Sequence, residues 1–397
     1  MRRSRSKRSP PTSTRRNTPT SSRSARWNLT DNAVGPHWAP VTSVGMSSAP
    51  ASLKQLAARV DVRLDEFLAA ERDRWASFDS ELAHPIEEIR RLVLSGGKRL
   101  RPAFCHWGYV GAGGGDNDQI DIDAGAAFEL MHAFALFHDD VMDDADSRRG
   151  QPTTHTVAAA EHAANDWAGE SRRFGEGVAI LVGDLAFVYA DQLLEEAPLE
   201  ASRIWNELRV ELNIGQYLDI LGGVSRTRDV VKSERICRYK SGKYTIERPL
   251  HLGAVLAAPE HADELLPHLS NYGLPLGDAF QMRDDVMGAF GDEAVTGKPV
   301  GGDLLEGKPT PLLARATRRA DDAQRRVLEL VGDPDLDADT VAKIQQVIID
   351  TGGLDELEAH ISALTEAAVT SLDTAPITQV AKTELTQLAE FVSQRTT

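Results

Sequence analysis

"AAFELMHAFALFHDDVMDD", residues 126–144, decides how the rest of this chain is read. Its first dozen residues are apolar at nearly every position. A helix built from them has no solvent face and belongs inside a bundle. The last six residues hold four aspartates. If that end is helical, Asp139 and Asp143 share a face with Cβ atoms about 5–6 Å apart, and Asp140 and Asp144 form a second such pair. Like charges so placed repel, and a helix C-terminal end disfavours negative charge further. A divalent cation removes both objections. Magnesium takes carboxylate oxygens, keeps several waters and is usually completed by substrate phosphates. The stretch therefore predicts a metal-bridged phosphate ligand, against the plainer alternative of a solvated acidic helix end.

Working outward, the pattern stays helical. "LKQLAARVDVRLDEFLAAE" (53–71) sets Leu53, Leu56, Val60, Leu64 and Leu68 at three- and four-residue steps, one helical stripe. Residues 179–197, 203–223 and 271–292 read the same way, and strand signals are scarce. "VGAGGGDND" (110–118), "GKPVGGDLLEGKPTP" (297–311) and "DTGG" (350–353) mark loops. Residues 318–397 read as further amphipathic helices without a chemical motif. The expectation is an all-α fold, a large bundle around a deep central cavity, as one domain over 49–397.

Composition agrees. The chain has 397 residues, 41% hydrophobic and 26% charged, with a formal net charge of -16. That acidity disfavours a nucleic-acid partner. No apolar run reaches the roughly 18–20 residues of a transmembrane segment. Two cysteines exclude a disulfide framework and suit a cytoplasmic protein. Residues 1–48 differ: nine Lys/Arg against one acid, rich in Ser, Thr and Pro, and read as a disordered basic tail. A transit peptide, a basic arm and an extension upstream of a start at Met46 are the three readings. The last is favoured, because Met46 runs straight into the first amphipathic helix.

A second acidic patch, Asp284 and Asp285 with Asp292 beyond, follows another apolar helix. Two such patches facing each other across a cavity would hold several ions around one diphosphate. Cations are available in "SGGKRLRP" (Lys98, Arg99, Arg101), at Arg148 and Arg149, in "YKSGKYT" (Lys240, Lys243) and at Lys298 and Lys308. Arginine's fork suits phosphate oxygens, and glycines allow close backbone approach. Each cation alone is more often a solvated surface charge. A P-loop is excluded by spacing.

Taken in order, "GGKRLRP" (96–102), "HAFALFHDDVMDDADSRRGQPTTH" (132–155), "GD" (183–184), "YKSGKYT" (239–245), "GDAFQMRDDVMGAFGD" (277–292) and "GKPVGGDLLEGK" (297–308) resemble the trans-isoprenyl diphosphate synthases of the polyprenyl synthetase family. The resemblance covers roughly residues 90–310. It implies a magnesium-dependent trans-prenyltransferase, usually a homodimer, with three ions per active site. By motif position it implies that Asp139, Asp140 and Asp143 bind magnesium and the allylic diphosphate, and that Asp284 and Asp285 hold a further ion. It also implies that Lys98, Arg101, His132 and Arg149 bind isopentenyl diphosphate, while Arg148, Lys240, Gln281, Lys298 and Lys308 grip the allylic substrate. The implied catalytic set is Asp139, Asp140, Asp143, Lys240 and Asp284. His132 on its own would be a core histidine; its place two turns before Asp139 gives it the ligand role.

One position departs from the family's Asp-Asp-x-x-Asp: Gly288 stands where the last aspartate is usual. Activity is expected to survive, because Asp284 and Asp285 remain. Product length is expected to follow Phe134 and Ala135, five and four residues before Asp139, with the Phe134 ring as tunnel floor. That resemblance implies geranylgeranyl diphosphate, with farnesyl diphosphate second. A class I terpene cyclase is disfavoured by the absent Asn/Asp-Asp-x-x-Ser/Thr-x-x-x-Glu motif, and a non-catalytic partner subunit by the intact first aspartates.

Overall fold

The computed structural model describes residues 49–148, 150–291 and 301–394. Met1–Ser48, Arg149, Asp292, Lys298 and the last three residues lie outside them. The described residues belong to one compact unit. The chain runs through α1 (Ala51–Ala76), α2 (His84–Leu94), α3 (Leu100–Gly111), α4 (Gln119–Met142), α5 (Thr154–Ala164), α6 (Ser171–Gln192), α7 (Leu199–Val224) and α8 (Val230–Cys237). A π-helical segment, Arg238–Glu247, leads into α9 (Arg248–Ala257) and the long α10 (Ala262–Phe290). Then come α11 (Gly302–Glu306), α12 (Pro311–Arg319), α13 (Asp322–Leu328), α14 (Ala338–Asp350), α15 (Gly353–Ser371) and α16 (Gln379–Ser393). The fold is all-α. Among the described residues, strand is confined to a two-stranded hairpin, Ser147–Arg148 paired antiparallel with Gln151–Pro152.

The predicted stripe of α1 is the one buried: Leu53, Leu56, Val60, Leu64 and Leu68 all enter the core. From Ile122 to Ala133, α4 is buried at nearly every position, so it is central. Packed on it are α1, α2, α3, α6 and α9. A second apolar cluster forms where the C-terminal half of α10 meets α11 through α15. Both acidic patches thus sit at the C-terminal ends of central helices.

Two local readings are corrected, and one segment takes a form the sequence did not suggest. Helix α4 stops at Met142, with Asp143 as its C-cap. Asp144 adopts a left-handed φ of 52° and reaches outward to Arg172 at 3.3 Å, so Asp140 and Asp144 are not a helical pair. Residues 302–306, expected as loop, form one helical turn. Residues 238–247 adopt the wider π form, an arrangement common near functional sites.

Close backbone contacts hold that π segment in place. A Cβ on Gly277 of α10 would lie 2.7 Å from the Gly242 carbonyl oxygen. Only hydrogen at both positions lets the two backbones meet. Helices α3 and α9 meet in the same way, and a Cβ on Gly253 would overlap the Cys105 carbonyl oxygen. Gly253→Ala is therefore expected to destabilise by about 1–3 kcal/mol or more. Gly177→Ala, on a helix with nothing within 4 Å of the added methyl, should stabilise by about 0.5–1 kcal/mol. Denaturant unfolding of the two variants checks both signs.

Candidate active site

Asp139 is the point where the elements converge. It leaves the last turn of α4 and accepts a hydrogen bond of 2.8 Å from Gln216 Nε2 on α7. Lys240, from the π segment, lies 3.5 Å away and is braced by Asp219 of α7 at 2.5 Å. Burial disfavours the lysine's charge, but Asp139 and Asp219 outweigh it and hold the amine above its ordinary range. Burial likewise acts against Asp139, and Lys240, Lys308 and Arg148 overcome it, leaving the carboxyl below its ordinary value.

The hairpin explains Arg148. It folds the chain back after the acidic run, so that Arg148 Nε donates to Asp140 Oδ1 at 2.7 Å. Its other nitrogen lies 3.7 Å from Asp139. Beside this pair a cavity of about 330 Å³ is lined by Phe137, Asp140, Arg148, Gln151 and Thr153. Asp143 has less compensation: burial and the charge of Asp139 push it up to about 6. Crowded oxygens of this kind are the ligand set magnesium accepts. Among the described residues no three carboxylates or histidines converge tightly enough to cage an ion alone.

Lys308 links the two acidic patches. It sits 2.6 Å from Glu306 and 3.5 Å from Asp303, and it feels the charge of Asp143 as well. On the second patch the neighbours differ. Asp284 is exposed. Asp285 is 4% exposed, accepts from Gln281 Nε2 at 3.0 Å and meets the Cys237 thiol at 3.7 Å. Burial first, then Asp303 close by, pushes the Asp285 carboxyl up.

Just before α3, Lys98 is exposed. Arg101 lays its guanidinium over the Tyr244 ring at 4.3 Å, and His132 lies 6.3 Å from the same ring. Arg99 is different. It is buried with a left-handed φ of 50°, and it is consumed by Asp61 at 2.7 Å, Glu129 at 2.5 Å and the Val93 carbonyl. Lys243 is likewise tied to Glu211, which Arg248 also holds at 2.7 Å. Both belong to the scaffold rather than to a ligand. The structure thus brings Asp139, Asp140, Arg148 and Lys240 together, links them through Lys308 to the second patch, and groups Arg101 with His132.

A model of the family described as polyprenyl synthetase matches residues 83–348. The chain belongs to the polyprenyl synthetase family. The geranylgeranyl pyrophosphate synthase of Corynebacterium glutamicum, solved with isoprenyl diphosphate and magnesium, is similar at a TM-score of 0.80 and 37% identity, over 86% of this chain and 99% of that one. The geranylfarnesyl diphosphate synthase of Aeropyrum pernix is 32% identical over 70% of this chain and 83% of its own length. Farnesyl diphosphate synthase of Escherichia coli is also 32% identical, over 70% of this chain and 88% of its own.

In this polyprenyl synthetase, sequence reasoning missed Gln216, Asp219, Asp303 and Tyr244. Gln216 and Asp219 carried a usable signal: two polar residues three apart on a helix otherwise read only for its apolar stripe. Asp303 lay inside the quoted "GKPVGGDLLEGK", but what it does there depends on a gap elsewhere. A Cβ on Gly288 would overlap the Asp303 carboxylate, which fills the space that the missing aspartate leaves. Gly288→Ala forces that carboxylate to rotate away from Lys308 and Asp285. Since the displaced group is the end of a short side chain, unfolding temperature should hold. Displacement beside the reacting groups should lower turnover roughly ten- to a hundredfold. Steady-state kinetics beside a thermal melt checks this pairing.

Proposed function

We propose that this polyprenyl synthetase joins isopentenyl diphosphate head-to-tail to an allylic diphosphate, dimethylallyl, geranyl or farnesyl, and releases geranylgeranyl diphosphate. The observation that carries the reading is Lys308 standing between two carboxylate clusters, with Lys240 and Arg148 against the first. Alternating charge of this kind suits a ligand that is both anionic and metal-bridged.

The residues fit magnesium. Asp139, Asp140 and Asp143 would hold ions at the first cluster and Asp284 and Asp285 at the second, three ions in all. When bound, magnesium offsets the charge that builds on a departing diphosphate. Lys240, Arg148 and Lys308, with Gln281 and Lys298, orient the allylic diphosphate and stabilise the same charge. Lys98, Arg101, His132 and Arg149 hold isopentenyl diphosphate. As the allylic carbon–oxygen bond breaks, the isopentenyl double bond attacks the allylic cation and a proton is lost. The departing diphosphate takes that proton. No protein nucleophile is needed. The apolar wall of α4 keeps water from the cation.

Product length falls to the aromatic level below Asp139. The Phe134 ring lies 4.7 Å from Phe187 of α6. Phe187 in turn lies 5.0 Å beneath Arg209, which Asp191 fixes at 2.7 Å. Ala135 leaves the adjacent position open. The paired rings also favour farnesyl diphosphate as the second reading, since two rings close a path sooner than one. Incubation with isopentenyl diphosphate, each allylic starter and magnesium should yield mainly C20 product, read by chromatography. Asp139→Asn should lower turnover by about a hundredfold or more. Phe134→Ala and Phe187→Ala should lengthen the product, and an unchanged chain length in both would sink the floor.

A homodimer is part of the proposal. On α7, Val210, Ile214, Tyr217, Leu221 and Val224 repeat at alternating four- and three-residue steps, the spacing of a helix-packing seam, yet Tyr217 is 62% and Val224 77% exposed. Leu181, 68% exposed, and Val188, 58% exposed, are further uncovered apolar residues on α6. A second copy covering the seam explains it. Light scattering after size exclusion should give twice the chain mass, and Ile214→Glu with Tyr217→Glu should halve it. The cytoplasm is the proposed location, with Cys105 and Cys237 both free and buried. Among the described residues no helix is long and apolar enough to cross a membrane.

A further inference from the structure

Two arginines two residues apart at the head of α3 are held in opposite ways. Arg99 spends its donors on Asp61, Glu129 and a backbone carbonyl. Arg101 pairs with no carboxylate among the described residues, and its buried Nε has no hydrogen-bond partner there. What holds it is the face of Tyr244, 4.3 Å from its guanidinium carbon. An aromatic face attracts a guanidinium without occupying any of its five N–H donors. A carboxylate in the same place would take two of them. The stacked arginine is therefore oriented and still able to bind an anion with its whole fork.

Tyr244 carries a second mark of the same kind. It is 4% exposed, and among the described residues its hydroxyl has no partner. A buried phenol normally finds one, because leaving it unpaired is unfavourable. Burial holds that phenol protonated well above its ordinary range, with Arg101 pulling the other way and Glu129 adding to the rise. It remains a donor at any pH the enzyme would meet. The π segment turns this residue inward between α3 and α4, where it meets Arg101 on one side and His132 on the other.

We infer that Tyr244 is a positioning residue of the isopentenyl diphosphate subsite: its ring fixes the Arg101 guanidinium for the diphosphate, and its hydroxyl donates into the same enclosure. The inference rests on the assignment of Arg101 and His132 to that substrate. It gives the π segment two tasks, Lys240 toward the allylic diphosphate and Tyr244 toward the other substrate.

The test separates ring from hydroxyl, and KM from kcat. Tyr244→Leu removes both parts and is expected to raise KM for isopentenyl diphosphate at least tenfold while the allylic KM stays within twofold. Tyr244→Phe keeps the ring and should raise the same KM about three- to fivefold. Arg101→Lys keeps charge but loses the stacked plane. It should cost less than Tyr244→Leu, since the hydroxyl remains, and the double variant should be no worse than Tyr244→Leu alone, because the Arg101 plane and the Tyr244 ring make one interaction. Binding of isopentenyl diphosphate alone, by calorimetry on the folded variants, supplies a readout independent of turnover. A Tyr244→Leu enzyme with unchanged isopentenyl KM, or with both KM values raised together, overturns the inference, as does a multiplicative loss in the double variant. Tyr244→Phe equal to wild type removes the hydroxyl's part. Should Tyr244→Leu fail to fold, Arg101→Lys with Tyr244→Phe and calorimetry decides instead. Wild-type protein that condenses neither substrate would defeat the prenyl-transfer reading itself, a result distinguishable from all of these.

Discussion

Carboxylates crowded at the end of a buried helix must be neutralised, and the surrounding structure is arranged to do it. Helix α4 is apolar almost all round, so burying it drives folding, and its last turn then carries Asp139 and Asp140 into a region of low dielectric. Each receives a cation from a different element: Lys240 from the π segment and Arg148 from the hairpin. Lys308 arrives beyond α11 and lies between this cluster and the second. Asp143 is the least compensated, held up near 6 by burial and by Asp139. Acceptors and donors stand ready in one place, a preorganisation that a metal-bridged anion can use without rearranging the protein.

Segregation of polar and apolar surface follows from the same helix. Its acidic end meets cations, while one turn and more below it Phe134 meets Phe187, and Phe128 meets Trp205 at 5.3 Å. An ionic head and a hydrocarbon tail can therefore occupy the two ends of one path.

Backbone contacts supply the precision. Gly242 and Gly277 let the π segment lie directly on α10, and that contact places Lys240 and Tyr244. The Gly288 departure is resolved by geometry of the same kind. The missing side chain leaves a space, and the Asp303 carboxylate occupies it, so negative charge beside Asp285 is retained from another part of the chain.

Helical periodicity, the apolar character of α4 and the spacing of the aspartates were readable directly, because they depend on neighbours within four residues. They determined the all-α class, the buried stripe of α1 and the family resemblance. Which cation reaches which acid was not readable. Arg99 and Arg101 look alike in sequence, and so do Lys240 and Lys243, yet one of each pair is locked into the scaffold by Glu129 or Glu211, residues at least thirty positions away. Asp144 looked like a helical partner of Asp140 until a left-handed residue ended the helix. Local pattern thus determined which elements form and which face each buries. Only the tertiary structure decided the pairing of charges, the carboxylate at the Gly288 gap and the ring beneath Arg101, because electrostatic and stacking energies depend on distances that the packing of helices creates.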